Sequence, residues 1–187
     1  MNKVLLYGSG DFGKIVKNIL KSTDYTFAGY ISDIEKGDDI VGDYDYLINN
    51  VNKNEYGIII TVGYSDLINR MKLYEKVLEA GFRLPNIIHS NSRIDPSVIL
   101  GNGNIIMAGT DIDFNSVISD IVVFWPGSVI SHDSKIKSNV FLSPNSTICG
   151  YAEIGKSTFV GAGSVIIDRC IVKENSFIKA GSLYKGN

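Results

Sequence analysis

From Ile94 onward every sixth residue is apolar, running through Leu100, Ile106, Ile112, Ile118, Phe124 and Ile130 without a break to Ile178 and Tyr184. Four residues after each stands a small or short side chain, as at Val98, Thr110, Ser116, Ser128, Ser134, Ser146, Ala152 and Ser164, with Asn104 the one larger polar exception. No helical period gives this pattern. Sandwiches of short alternating strands space their turns irregularly. A fixed internal period with one bulky and one small inward position predicts a solenoid. Each six-residue unit makes a short strand and a corner, three units close one coil, and stacked coils bury the apolar column between them.

The first half alternates instead between two periods. Strands are predicted at Val4–Tyr7, Phe27–Ile31 and Gly57–Val62, and helices at 12–21 and 66–80, an order that argues for parallel βαβ units. Leu84–His89 reads as a last short strand or connector, its regularity limited by Pro85. The predicted organisation is therefore an α/β Rossmann-like domain over residues 1–89 and a β-helix over 90–187.

Composition narrows the function classes. The chain has 187 residues, 44% of them hydrophobic, enough to bury a core in one or two modest domains. Its 18 Lys and Arg against 20 Asp and Glu leave no basic face for a nucleic-acid backbone. The first ten residues lack the order of a signal peptide, and no apolar run approaches the roughly 20 residues of a membrane span, so a cytoplasmic protein is expected. Cys149 and Cys170 are too few for a disulfide scaffold or a zinc site, and no metal is expected.

Two places in the chain carry chemistry. Gly8-Ser9-Gly10-Asp11-Phe12-Gly13 has the spacing G-x-G-x-x-G directly after a strand and before a helix, where backbone amides and the helix dipole accept a diphosphate. Asp33 follows the second strand, where a carboxylate can bind a ribose or base. Taken alone this reads as NAD, yet no second domain for hydride transfer follows. The other place is a corner of the solenoid. Of the two histidines, His89 falls in the connector and reads as a packing residue, whereas His132 follows inward Ile130 by two and points outward. Asp133 is its neighbour. Gly150, eighteen residues on, should lie one coil over, about 5 Å along the axis.

The hexapeptides Ile154-Gly155, Val160-Gly161-Ala162-Gly163 and Ala180-Gly181-Ser182 resemble the left-handed β-helix acyltransferases. With the opening glycine loop, Ile87-Ile88-His89 and Ile130-Ser131-His132-Asp133, the whole chain resembles bacterial sugar acetyltransferases of the UDP-amino-sugar N-acetyltransferase and sialic acid O-acetyltransferase type. The resemblance implies a homotrimer with acetyl-CoA as co-substrate, bound between neighbouring β-helices, and a nucleotide-linked or sialic-acid-type sugar as acceptor. By resemblance His132 is the general base, Asp133 the carboxylate favouring the imidazolium, and Gly150 the oxyanion donor. It likewise implies substrate contacts at Gly10, Asp11, Phe12, Ser32, Asp33 and Gly63, and cofactor contacts at Phe141, Ala162 and Ala180.

Several positions depart from that family's pattern. Phe12 stands where His is frequent, Ser32 where a second acid is, Phe141 where a second His is, and Trp125 where Asn is common. The sequence also ends at Tyr184-Lys185-Gly186-Asn187, before a Pro-containing tail. The first two departures bear on which nucleotide and sugar are bound, the others on acetyl-CoA affinity more than on the chemistry. The expected reaction is N-acetylation of a nucleotide-linked amino sugar for surface glycan synthesis. O-acetylation of a glycan sugar and a non-catalytic trimeric homologue are the rival readings.

Overall fold

A computed structural model describes residues 2–186, which divide into two compact units with the boundary between Ile87 and Ile88. In the first, four parallel strands lie in the order β3-β2-β1-β4: β1 (Lys3–Tyr7), β2 (Thr26–Ile31), β3 (Ile40–Gly42) and β4 (Tyr56–Ile60). Val4 to Tyr7 and Ile58 to Ile60 are all buried, the continuous apolar run of strands covered on both faces.

Three helices connect and flank the strands: α1 (Asp11–Ile19), α2 (Tyr44–Asn50) and α3 (Leu67–Glu79). Helix α1 buries Gly13, Val16 and Ile19 on one face. Asp43 caps α2 and Asp66 caps α3, each carboxylate accepting the backbone N–H three residues on. Strand β3 and helix α2 were not predicted from the sequence; three and seven residues are too short to establish a period.

The glycine loop has a structural reason of its own. Gly8 sits at φ +118, a conformation that side-chain-bearing residues rarely adopt, and a Cβ there would press on the Thr61 backbone. A Cβ on Gly13 would collide with the Gly8 carbonyl oxygen, so α1 approaches the loop only because Gly13 has none.

The second unit is a parallel β-solenoid with three faces. One sheet runs through Ile105–Ile106, Val123–Phe124, Phe141–Leu142, Phe159–Val160 and Phe177–Ile178. The next runs from Arg93–Ile94 through Val129–Ile130 to Leu183–Tyr184, and the third from Ile99–Leu100 through Lys135–Ile136 to Ile171–Val172. Every pairing in the solenoid is in register at eighteen residues, as in Ile112, Ile130 and Ile148. The predicted apolar column is the core, with Ile106 through Val160 and Ile166 essentially sealed from solvent.

The small inward residues do more than fit. Ser116, Ser134, Thr158 and Ser164 are buried, and each hydroxyl donates to a carbonyl fifteen residues on, at Ser131, Cys149, Lys173 and Lys179. A buried hydroxyl without such a partner would cost about 1–3 kcal/mol. Small polar residues thus tie one coil to the next where a larger side chain would overfill the core.

The corners obey a second rule with the same period. From Gly103 to Gly181 every sixth residue has positive φ, between +49 and +73. Most are Gly, Asn, Asp or Ser. The bulky exceptions are Ile121, Tyr151 and Arg169, each held in a conformation that costs roughly 1–2 kcal/mol.

Candidate functional site

The three residues expected to act in catalysis meet on two adjacent columns at one corner of the solenoid. Register at eighteen stacks Phe114, His132, Gly150 and Asp168 in one column and Asn115, Asp133, Tyr151 and Arg169 in the column beside it. The His132 ring stacks on Phe114, with centroids 5.3 Å apart and planes at 14°, and Tyr151 meets its edge at 5.2 Å. Asp133, turned by its left-handed backbone, places Oδ2 3.0 Å from His132 Nδ1. With Nδ1 donating to this carboxylate, Nε2 carries the lone pair.

Gly150 lies directly against that nitrogen. A Cβ built on it would fall 2.9 Å from His132 Cε1, 3.0 Å from Nε2 and 3.1 Å from Asp168 Oδ1. The glycine therefore leaves open a space that the imidazole and the Asp168 carboxylate both border. No backbone acceptor among the described residues takes the Gly150 N–H, while its carbonyl accepts from Arg169 N at 2.9 Å. Burial pushes the neighbouring Cys149 thiol up, and the Asp168 charge adds to the effect.

Asp168 itself was not predicted. Its Oδ2 is 3.2 Å from Arg169 Nε, and the Arg169 guanidinium lies 4.3 Å over the Tyr151 ring. The signal was available: it is the eighteen-residue step taken twice from His132. His89, by contrast, accepts the Asn91 N–H at Nδ1 and closes a turn.

The three expected cofactor residues occupy two kinds of position. Ala162 and Ala180 are exposed and stack one coil apart, with Gly181 N donating to Ala162 O at 2.8 Å. Phe141 is only 2% exposed. Its ring stacks on Phe159 and lies 6.1 Å from Trp125, so within this chain it faces other rings and not solvent.

In the first unit a cleft of about 520 Å³ opens where β1, β2 and β4 end and α3 begins. Ser32 and Asp33 line it with Tyr7, Gly8, Val62 and Tyr44, whereas Gly10, Asp11, Phe12 and Gly63 are not among its walls. Ser9 Oγ donates to Glu35 at 2.5 Å, and Asp11 stands in the first turn of α1, paired with Lys14.

Asp33 is already engaged twice, accepting the Tyr7 hydroxyl at 2.6 Å and the Tyr44 N–H at 2.9 Å. Burial, then that carboxylate, pushes the Tyr7 hydroxyl far up, so Tyr7 stays protonated and keeps donating. Positive charge in the cleft comes from Lys72 and Lys76, which the sequence reading missed. They sit four apart on the face of α3 that also presents Asp66 and Asn69. The Asp66 carboxylate is held below its usual range by the Asn69 backbone and side-chain N–H groups it accepts.

Comparison with known proteins agrees with both units. The family described as the PglD N-terminal domain matches residues 3–77. PerB from Caulobacter crescentus, solved with CoA and GDP-perosamine, is 27% identical with a TM-score of 0.90, covering 100% of this chain and 90% of that one. A variant of the perosamine N-acetyltransferase from the same organism, also solved with CoA and GDP-perosamine, gives 26% and 0.92 over the same shares. The acetyltransferase domain of PglB from Neisseria gonorrhoeae FA1090, in complex with acetyl coenzyme A, is 24% identical with a TM-score of 0.90, over 100% and 92%, and supports the fold. No helix among the described residues is long and apolar enough to cross a membrane. Residues 3–77 thus match the PglD N-terminal domain family, and the chain as a whole, an α/β domain followed by a parallel β-solenoid, is similar to sugar N-acetyltransferases of known structure.

Proposed function

We propose that the protein transfers the acetyl group of acetyl-CoA to the amine of a nucleotide-linked amino sugar, a reaction of surface glycan synthesis in the cytoplasm. The observation that carries the reading is the meeting of His132, Asp133 and Gly150 around one open space. His132 Nε2 takes a proton from the acceptor nitrogen as it attacks the thioester carbonyl, and the Gly150 N–H receives the oxygen on which charge develops. Collapse of the tetrahedral intermediate breaks the C–S bond, and the imidazolium returns its proton to the leaving sulfur. Asp133, on Nδ1, favours the imidazolium while it lasts.

Two further parts belong to this reading. The nucleotide half of the acceptor enters the cleft beside Ser32 and Asp33, where Lys72 and Lys76 supply charge for its diphosphate. Acetyl-CoA lies along the Ala162 and Ala180 corner in a homotrimer, so light scattering at micromolar concentration should give three times the chain mass.

The direct test offers acetyl-CoA with a panel of UDP-, dTDP- and GDP-linked amino sugars and follows release of free thiol. Turnover with at least one of them is expected. The hydroxyl-bearing counterparts and free sialic acid form the second arm. Turnover confined to that arm would replace N-acetylation by O-acetylation, and no acetyl-CoA binding at all would leave only a non-catalytic homologue.

A further inference from the structure

The carboxylate of Asp168 has no part in the reaction just described, yet it borders the same open space as the base. Its Oδ1 and His132 Nε2 lie 3.1 and 3.0 Å from one point, the position of the missing Gly150 Cβ. Both polar atoms therefore border the same opening beside Gly150, where an acceptor nitrogen would meet them. Arg169 Nε holds Oδ2, while Oδ1 faces the opening at Gly150. The holding is itself built, since Arg169 rests on Tyr151 and both residues keep a left-handed backbone at corners where most others have Gly, Asn, Asp or Ser. Backbone strain of this kind persists where the surroundings over-determine it, and it clusters at functional sites.

We propose that Asp168 binds the protonated amine of the acceptor and so selects an amino sugar over its hydroxyl counterpart. The proposal rests on the acetyltransfer reading above. A sugar amine is largely an ammonium ion at neutral pH. Charge-assisted hydrogen bonds are about twice as strong as neutral ones, so a carboxylate facing the acceptor favours this form over a hydroxyl. The proton balance then closes. Of the three ammonium protons, one leaves through His132 to solvent before attack. A second is taken by His132 as the C–N bond forms and delivered to the sulfur of CoA, and the third stays on the amide product. The titratable and charged groups around this point are His132, Asp133, Cys149, Tyr151 and Arg169.

The test uses Asp168→Asn, which keeps the shape and removes the charge, with the best amino acceptor of the panel and the same nucleotide sugar bearing a hydroxyl in place of the amine. At pH 7 the KM for the amino acceptor should rise at least tenfold, on the order expected for loss of a charged hydrogen bond, with the KM for acetyl-CoA and the Ki of the hydroxyl analogue within twofold of wild type. The deficit should shrink at pH 9.5, where the amine is mostly neutral. Arg169→Gln, which frees the carboxylate without removing it, should give a smaller change of the same sign. An unchanged amino-acceptor KM at pH 7 would overturn the proposal, as would a parallel rise in the Ki of the hydroxyl analogue, the mark of a merely structural residue. A wild type that acetylates no amino acceptor defeats the underlying reading, and the proposal with it, before any variant is made.

Discussion

Under the proposed reaction, replacing His132 by Ala should lower turnover by about 10² to 10⁴ at pH 7, the usual worth of a positioned base, and leave acetyl-CoA binding and thermal stability intact. The side chain supports no core packing that would explain a larger failure, because its ring stands outside the apolar column between Phe114 and Tyr151. The loss shrinks as pH rises, since an amine acceptor arrives increasingly deprotonated and needs less help. Thiol release followed from pH 6.5 to 9.5 reads both effects. Near-normal turnover at pH 7 would place the base elsewhere, and the one other imidazole, His89, is committed to a turn.

Gly150→Ala should be almost as damaging by a different route. Its backbone is outside the left-handed region, so alanine fits the main chain and the solenoid should melt within a few degrees of wild type. The added methyl meets the imidazole at 2.9 Å and the Asp168 carboxylate at 3.1 Å, and neither can stay where it is. Alanine keeps the backbone N–H, but its methyl occupies the space where the developing oxyanion would meet that donor, an interaction typically worth 10² to 10³ in kcat. Displacing the base beside it makes a loss of about 10³ the expected result, with acetyl-CoA binding measured by calorimetry unchanged. A fully active variant would show that the reacting atoms do not use the space beside the imidazole.

The solenoid was legible because its physics repeats. Each coil needs the same inward Ile, Leu or Val, the same short residue and the same corner, so the period survives even where single positions such as Asn104 deviate. Gly150 could be placed beside His132 by counting one coil. Asp168 needed a second count, and what makes it notable, the Arg169 and Tyr151 support, exists only as side-chain geometry. The nucleotide half was less transparent. The G-x-G-x-x-G spacing correctly marks a strand, a tight loop and a helix. Glu35 nevertheless reaches Ser9 from a loop with no period, and no motif marks Lys72 and Lys76 as lining the cleft. Seven-residue α2, with Leu47 its one buried position, gave the eye nothing to count.

The left-handed corners from Gly103 to Gly181 act together with the apolar column like a message sent with a parity check. A chain slipped by one residue would not merely turn its isoleucines to water. It would also bring a fresh set of side chains, several of them branched, into backbone angles that cost each about 1–2 kcal/mol, so the error is penalised twice at every corner. Gains or losses of six residues pass both checks but rotate the following corners to another face. Only whole coils of eighteen keep His132, Gly150 and Asp168 in one column. Lengthening or shortening of such a protein over evolution, or by design, should therefore come in complete storeys, and the catalytic one can be moved along the shaft without being redrawn.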